Sequence, residues 1–426
     1  MSGQPTIAFA GMTHLGVCSA VGAASKEFAT IGFAPEDSLI SALNDGRFPI
    51  VEPDLEALAR THRPNLSFSA DPTRLAHADV IYVAPDVPTD DAGSSNLAPL
   101  ESLLEVVFAH SRPDAAVVVL SQVTPGFTRA HQVPGRTLHY QVETLIFGRA
   151  IERATKPERF IVGCADPSAP LPGPYAVFLQ AFGCPILPMG FESAELCKVA
   201  INCCLVASIG VANTLAELCE RIGADWSEVI PALKLDRRIG QYSYLAPGLG
   251  LAGGNLERDL ATVRRMADQF GTDSGIVRAW VANSRYRKDW VLRALHSEVL
   301  GTIDHPQLAV LGLAYKENTH SIKNSPSIAL LPYLAPFAVS VYDPVVPASA
   351  APHPVRAATN ALDACRGADA VLIMTPWPEF GGLAPAAIAK SMRGNAVIDP
   401  YRVLDGEKVR AAGLRYMTLG VAATGK

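Results

Sequence analysis

The sequence supplies no covalent framework. Its eight cysteines, Cys18, Cys164, Cys184, Cys197, Cys203, Cys204, Cys219 and Cys365, have neither the regular spacing of a disulfide scaffold nor paired C-x-x-C zinc ligands. Most are expected as small buried apolar residues. Charge is scarce at 18% of residues, and the net value of -5 gives no global basic field to recruit nucleic acid or an anionic membrane. At the N-terminus a short polar leader passes straight into the strand-like Thr6-Ile7-Ala8-Phe9-Ala10, without a basic segment and apolar run, so no signal peptide is expected. No uncharged run is expected to reach membrane-spanning length. The compartment these absences suggest is a reducing cytoplasm.

What is present describes a compact globular chain: 49% hydrophobic residues, 33 Gly and 33 Pro in 426 positions, too long for one ordinary core. Short apolar, β-branched runs at 6–10, 79–85 and 115–121 alternate with helix-length segments, the pattern of parallel strands with crossover helices. From Ser193 the texture becomes helical, through Ala194–Gly223 and Asp259–His296. Strand and glycine turn return at Gln307–Gly312, followed by further runs at Val339–Pro344, Ala370–Met374 and Ala396–Asp399. The expected fold is α/β, with two Rossmann-like doubly wound parallel-sheet domains, 1–192 and 301–426, joined by a central helical domain at 193–300.

The first glycine turn is incomplete. A dinucleotide fold places G-x-G-x-x-G between strand and helix so that backbone can approach a pyrophosphate. Here the turn reads Gly11-Met12-Thr13-His14-Leu15-Gly16, with Thr13 in place of the middle glycine. The acid that should hold the adenosine ribose is also missing, because Ala34 stands at the end of the second strand and Glu36 comes two residues late. No Arg follows to favour a 2′-phosphate. NAD is the expected cofactor, and a structural turn with feeble cofactor binding remains open.

Later blocks carry a family likeness. Leu43-Asn44-Asp45-Gly46-Arg47-Phe48-Pro49-Ile50-Val51-Glu52-Pro53-Asp54-Leu55 resembles the N-x-G-x-x-P-I-x-E-P-x-L stretch of the UDP-glucose/GDP-mannose (nucleotide-sugar) 6-dehydrogenases. Tyr140–Leu145 is similar to their Y-x-P-E-F-L segment, Pro157–Gly163 to P-D-R-I-V-I-G, and Ala194-Glu195-Leu196-Cys197-Lys198 with Asn202 to their A-E-L-x-K-x-x-x-N helix. Gly312–Lys316, Thr319, Ser325-Pro326 and Trp377–Phe380 resemble the nucleotide-binding C-terminal domain. The resemblance implies an N-terminal NAD domain, a helical domain that often forms a homodimer interface, and a C-terminal domain for the nucleoside diphosphate. It implies cofactor contacts from Gly11, Met12, Thr13, Leu15, Gly16, Ala34, Ser121 and Gln122.

The same resemblance exposes a missing nucleophile. The relatives oxidise an alcohol twice, through a thiohemiacetal on a cysteine within G-x-G-G-S-C-F-P-K-D, whereas this chain reads Gly250–Asp259 with Asn255 at the cysteine position. An amide can neither attack an aldehyde nor ionise, which closes the thiol route to an acid. Cys197, Cys203 and Cys204 are expected to pack in the core. Lys198 and Asn202, four apart on a helix, can point together at one reacting oxygen. By resemblance, Lys198 and Asp259 hold a catalytic water and stabilise developing negative charge, with Asn202 assisting and Glu143 beside the sugar. Tyr244, Gly250, Gly253, Arg238 and Lys316 are the implied substrate contacts. Gln122, Phe147 and Val421 replace residues expected in the family, so the substrate pocket is rebuilt and phosphate recognition weakened.

Two classes of function follow. One is an NAD-dependent enzyme acting on a sugar hydroxyl of a nucleotide sugar or nucleoside, oxidising it transiently and returning the hydride as a dehydratase or epimerase. A natural-product tailoring step would suit it, and net two-electron oxidation is its variant. The other is a non-catalytic nucleotide-binding relative acting as regulator or scaffold.

Overall fold

The computed structural model describes residues 3–90 and 93–422, and the chain divides into two compact units, Met1–Ile201 and Asn202–Lys426. The first unit holds an eight-stranded sheet of β1 (Ile7–Ala10), β2 (Thr30–Phe33), β3 (Leu66–Ser69), β4 (Val80–Val83), β5 (Ala116–Val119), β6 (Thr137–Gln141), β7 (Phe160–Cys164) and β8 (Ile186–Gly190). Their spatial order is β3-β2-β1-β4-β5-β6-β7-β8. Every residue of β1, β4 and β5 is buried, as strands covered by helices on both faces require. Ile7 and Phe9 enter one apolar layer with Val17, Tyr82 and Phe178, while Ala8 and Ala10 enter the other with Ile81, Val117 and Phe191. The strand order reverses at β1, with β2 on one side and β4 on the other, which opens the ligand crevice of an α/β sheet at their carboxyl ends. One pair departs from the expected parallel pattern: β6 and β7 run antiparallel, with Tyr140 opposite Gly163.

The second unit begins within the long helix Phe191–Ile222 and continues through Trp226–Leu235, Asn255–Phe270, Gly275–Lys288 and Trp290–Leu295. It ends in an all-parallel sheet of β9 (Gln307–Leu311), β10 (Ala338–Tyr342), β11 (Arg356–Ala357), β12 (Ala370–Ile373), β13 (Ala396–Ile398) and β14 (Arg415–Met417), ordered β11-β10-β9-β12-β13-β14. The helical texture and all four strand runs anticipated beyond residue 300 coincide with observed elements.

Two expectations are corrected. Among the described residues one helix, Phe191–Ile222, is long and apolar enough to cross a membrane, with an 18-residue window of mean hydropathy 1.8. Its polar groups are nevertheless engaged by protein: Glu195 accepts from Gly126 N at 2.6 Å and Thr128 N at 2.8 Å, and Asn213 accepts from Gly248 N at 2.8 Å. The cysteines are less uniformly buried than expected. Cys18, Cys164, Cys219 and Cys365 are buried, Cys184, Cys197 and Cys203 half-buried, and Cys204 exposed. Cys204 follows Cys203 by about 100° around the helix, which carries it off the packed face.

Candidate active site

The glycine turn leaves β1 under tight steric control. Gly11 has φ +97, and a Cβ there would lie 2.7 Å from Pro85 N; one on Gly16 would lie 1.8 Å from Gly11 O. Gly11 is therefore dictated by the approach of the Pro85 segment, and Gly16 by the approach of helix His14–Ala24 to the turn. Met12 and Leu15 are buried in the apolar layer below. Thr13 is the helix N-cap residue, yet its hydroxyl oxygen faces the β4 exit, accepting from Asp86 N at 2.8 Å. Asp86 Oδ2 accepts in turn from His14 N at 3.0 Å. Ala34 follows β2, buried, with its N–H on Ser69 O at 3.4 Å and no carboxylate to offer a ribose. Ser121 is fully buried and donates its hydroxyl to Pro85 O, while Gln122 is half-buried.

His14 carries the turn into the resemblance block. Its Nε2 lies 2.8 Å from Glu52 Oε1, and its ring meets Phe147 at 4.1 Å between centroids. Glu52 also accepts from Gly148 N at 2.8 Å and Ala150 N at 3.1 Å. Burial pushes its carboxyl up, but His14 and the two amides outweigh that and hold it below the usual range.

Lys198, 9% exposed, directs its ammonium to Glu143, donating to the backbone O at 2.9 Å and to Oε2 at 3.2 Å. Asn202 donates its amide to Asp259 Oδ2. Lys198 and Asn202 thus lie one helical turn apart as expected, and each is held by its own carboxylate. A buried ammonium without an anion would be costly, and Glu143 removes that cost.

Asp259 is 1% exposed and pairs with Arg258 Nε at 3.3 Å. It lies one turn beyond Asn255, the exposed first residue of Asn255–Phe270. The half-buried Cys203 thiol is pushed up by burial and by Asp259, which favours the unreactive thiol over the thiolate. Cys197 packs against the first sheet and Cys203 against Val206, Leu251, Leu260 and Val277.

Around that helix start, Gly250 has φ +76 and a Cβ there would lie 2.4 Å from Ser284 O; Gly253 N donates to Lys323 O at 3.0 Å. Gly253 also abuts the Tyr315 ring, over which the Lys316 ammonium lies 5.6 Å from the centroid. Tyr244 is exposed. Arg238 is exposed and chelated by Asp236, its Nη2 2.6 Å from Oδ2. Of the implied substrate residues, the structure groups Gly250 and Gly253 with the Asn255 helix and leaves Arg238 on its own neighbour. Sequence reasoning missed Asp86, the His14–Glu52 pair and Arg258. Pro85-Asp86 was detectable in principle, because it directly follows a buried strand beside the glycine turn.

The switch point, the two sterically required glycines and the helix start behind them fit the dinucleotide-binding class. Comparison with known proteins narrows the class. Profiles of the UDP-glucose/GDP-mannose dehydrogenase family match throughout: the NAD binding domain at residues 5–171, the central domain at 192–285 and the UDP binding domain at 309–406. UDP-glucose 6-dehydrogenase AglM of Haloferax volcanii is 30% identical over 90% of this chain and 93% of its own length. UDP-glucose 6-dehydrogenase TuaD of Bacillus subtilis is 28% identical over 90% and 86%. The solved UDP-glucose dehydrogenase of Pyrobaculum islandicum superposes with a TM-score of 0.84 at 28% identity, covering 98% of each chain. The chain belongs to the UDP-glucose/GDP-mannose dehydrogenase family, a family of NAD-dependent oxidoreductases, and NAD is its cofactor.

Proposed function

We propose that this chain oxidises a sugar hydroxyl of a nucleotide sugar or nucleoside and returns the hydride, acting as a redox-neutral dehydratase or epimerase. The observation that carries the reading is Asn255, an amide at the helix start that the resemblance assigns to the thiol, one turn from Asp259. The thiol beside Asp259, Cys203, is held protonated and is a poor replacement. Bound NAD supplies a hydride acceptor and, once reduced, a hydride donor. The turn Gly11–Gly16 with Ser121 would hold it.

Lys198 would stabilise negative charge developing on the sugar oxygen, and Glu143, bonded to the same ammonium, would take or return a proton at that oxygen. Asp259 would act on the carbon acidified by the neighbouring carbonyl, with Asn202 and Arg258 holding its carboxylate in place. Gly250, Gly253, Tyr244 and Lys316 would contact substrate. We assign these roles to a three-part chain, 1–192, 193–300 and 301–426, working in a reducing cytoplasm, for which eight free thiols are suitable. Counting NADH released per substrate consumed tests the reading: none accumulates in a neutral reaction, one accompanies each ketone or aldehyde, and two accompany each acid.

A homodimer is part of the proposal. Val211, Leu215, Leu218 and Ile222 recur at three- and four-residue spacing on the long helix, and all are at least 40% exposed. Leu215→Asp with Leu218→Asp is expected to leave a folded monomer by light scattering. A double variant that stays dimeric would remove this face from the interface.

A further inference from the structure

Asp86 puts a carboxylate of this chain at the end of the helix where a pyrophosphate is normally received. Its Oδ2 takes the His14 N–H at 3.0 Å, so a backbone donor of the first helical turn is already engaged by an anion. The segment is fixed from three sides. Thr13 Oγ1 receives Asp86 N at 2.8 Å, the Ser121 hydroxyl holds Pro85 O, and Gly11 lies so close beneath that a Cβ would meet Pro85.

This arrangement gives a physical sense to Thr13. A glycine there would leave the backbone open to phosphate, whereas the threonine hydroxyl accepts the Asp86 backbone N–H and fixes the segment that carries the acid. We propose that Asp86 is a built-in competitor of the NAD pyrophosphate, latched by Thr13, and that it sets the cofactor affinity of this chain. Two like charges cannot share one helix end at close range, so NAD binding requires the carboxylate to swing out or take up a proton. Although Asp86 is exposed at the surface, the protein packed around its carboxyl pushes it up and Glu143 adds to that, while His14 and the Thr13 contact act the other way.

The bland alternative is a cap that only stabilises the helix. The two are separated by measuring NAD dissociation constants calorimetrically on the full chain, with thermal unfolding alongside. Asp86→Asn keeps the shape and a hydrogen-bond acceptor but removes the charge, and is expected to bind NAD at least tenfold more tightly. Asp86→Glu retains the charge and should bind no more tightly than the parent. Thr13→Val, which frees the latch without touching the acid, should tighten binding by a smaller factor and serves if Asp86→Asn fails to fold. The proposal is overturned if Asp86→Asn, or in its absence Thr13→Val, binds NAD no better than the parent, or if Asp86→Glu gains as much as Asp86→Asn.

Discussion

Lys198→Met is expected to lower kcat by roughly three orders of magnitude, the scale of losing a positioned charge on a developing oxyanion. Methionine keeps the length of the stem and removes only the ammonium, which in this structure is bonded to the backbone and carboxylate of Glu143. NAD affinity should change little, because the turn proposed to receive the cofactor lies on other elements. Stability should fall by about 1 to 3 kcal/mol, since Glu143 loses its cation in a half-buried setting. Steady-state turnover and NAD titration on the same preparation check all three statements, and undiminished kcat would take Lys198 out of the mechanism.

Asp259 carries the second large effect, on fold and chemistry together. It is buried between the Asn202 amide and the Arg258 guanidinium, which is itself 8% exposed. Asp259→Ala removes the carboxylate paired with a buried guanidinium, and breaking a buried pair in this way costs about 3 to 5 kcal/mol. Urea unfolding should therefore show a clear drop in midpoint, accompanied by loss of turnover. Asp259→Asn should separate the two roles: the amide oxygen can still accept from Asn202, so more stability survives, but no carboxylate remains to move a proton. Turnover retained by Asp259→Asn would limit Asp259 to holding its neighbours.

The contrast between these residues and Asp86 shows what a sequence exposes. Strands with continuous apolar runs, such as Val80–Val83 and Ala116–Val119, announce themselves because burial on both faces demands that composition. Leu66–Ser69, with alternating exposure, and Arg356–Ala357, two exposed residues at a sheet edge, carry too little apolar signal to stand out. Lys198 and Asn202 were visible as a helical pair, since spacing alone fixes their separation. Glu143 and Asp259 entered only through the resemblance, and which of them each residue bonds was not legible, because they lie 55 and 57 residues away along the chain. Asp86 is 73 residues from Thr13, and only the pairing of β1 with β4 brings them together. The absent glycine was legible as a defect at Thr13, whereas its consequence required a partner that the turn does not contain.

The central claim is that the chain's hydride chemistry stops short of an acid because position 255 offers an amide. The most direct measurement is the mass of the product formed from NAD and a panel of UDP-sugars, GDP-sugars and nucleosides. An unchanged mass with altered stereochemistry, or the loss of one water, is the predicted result. A product that has gained one oxygen and lost two hydrogens, released as a uronic acid, would contradict it.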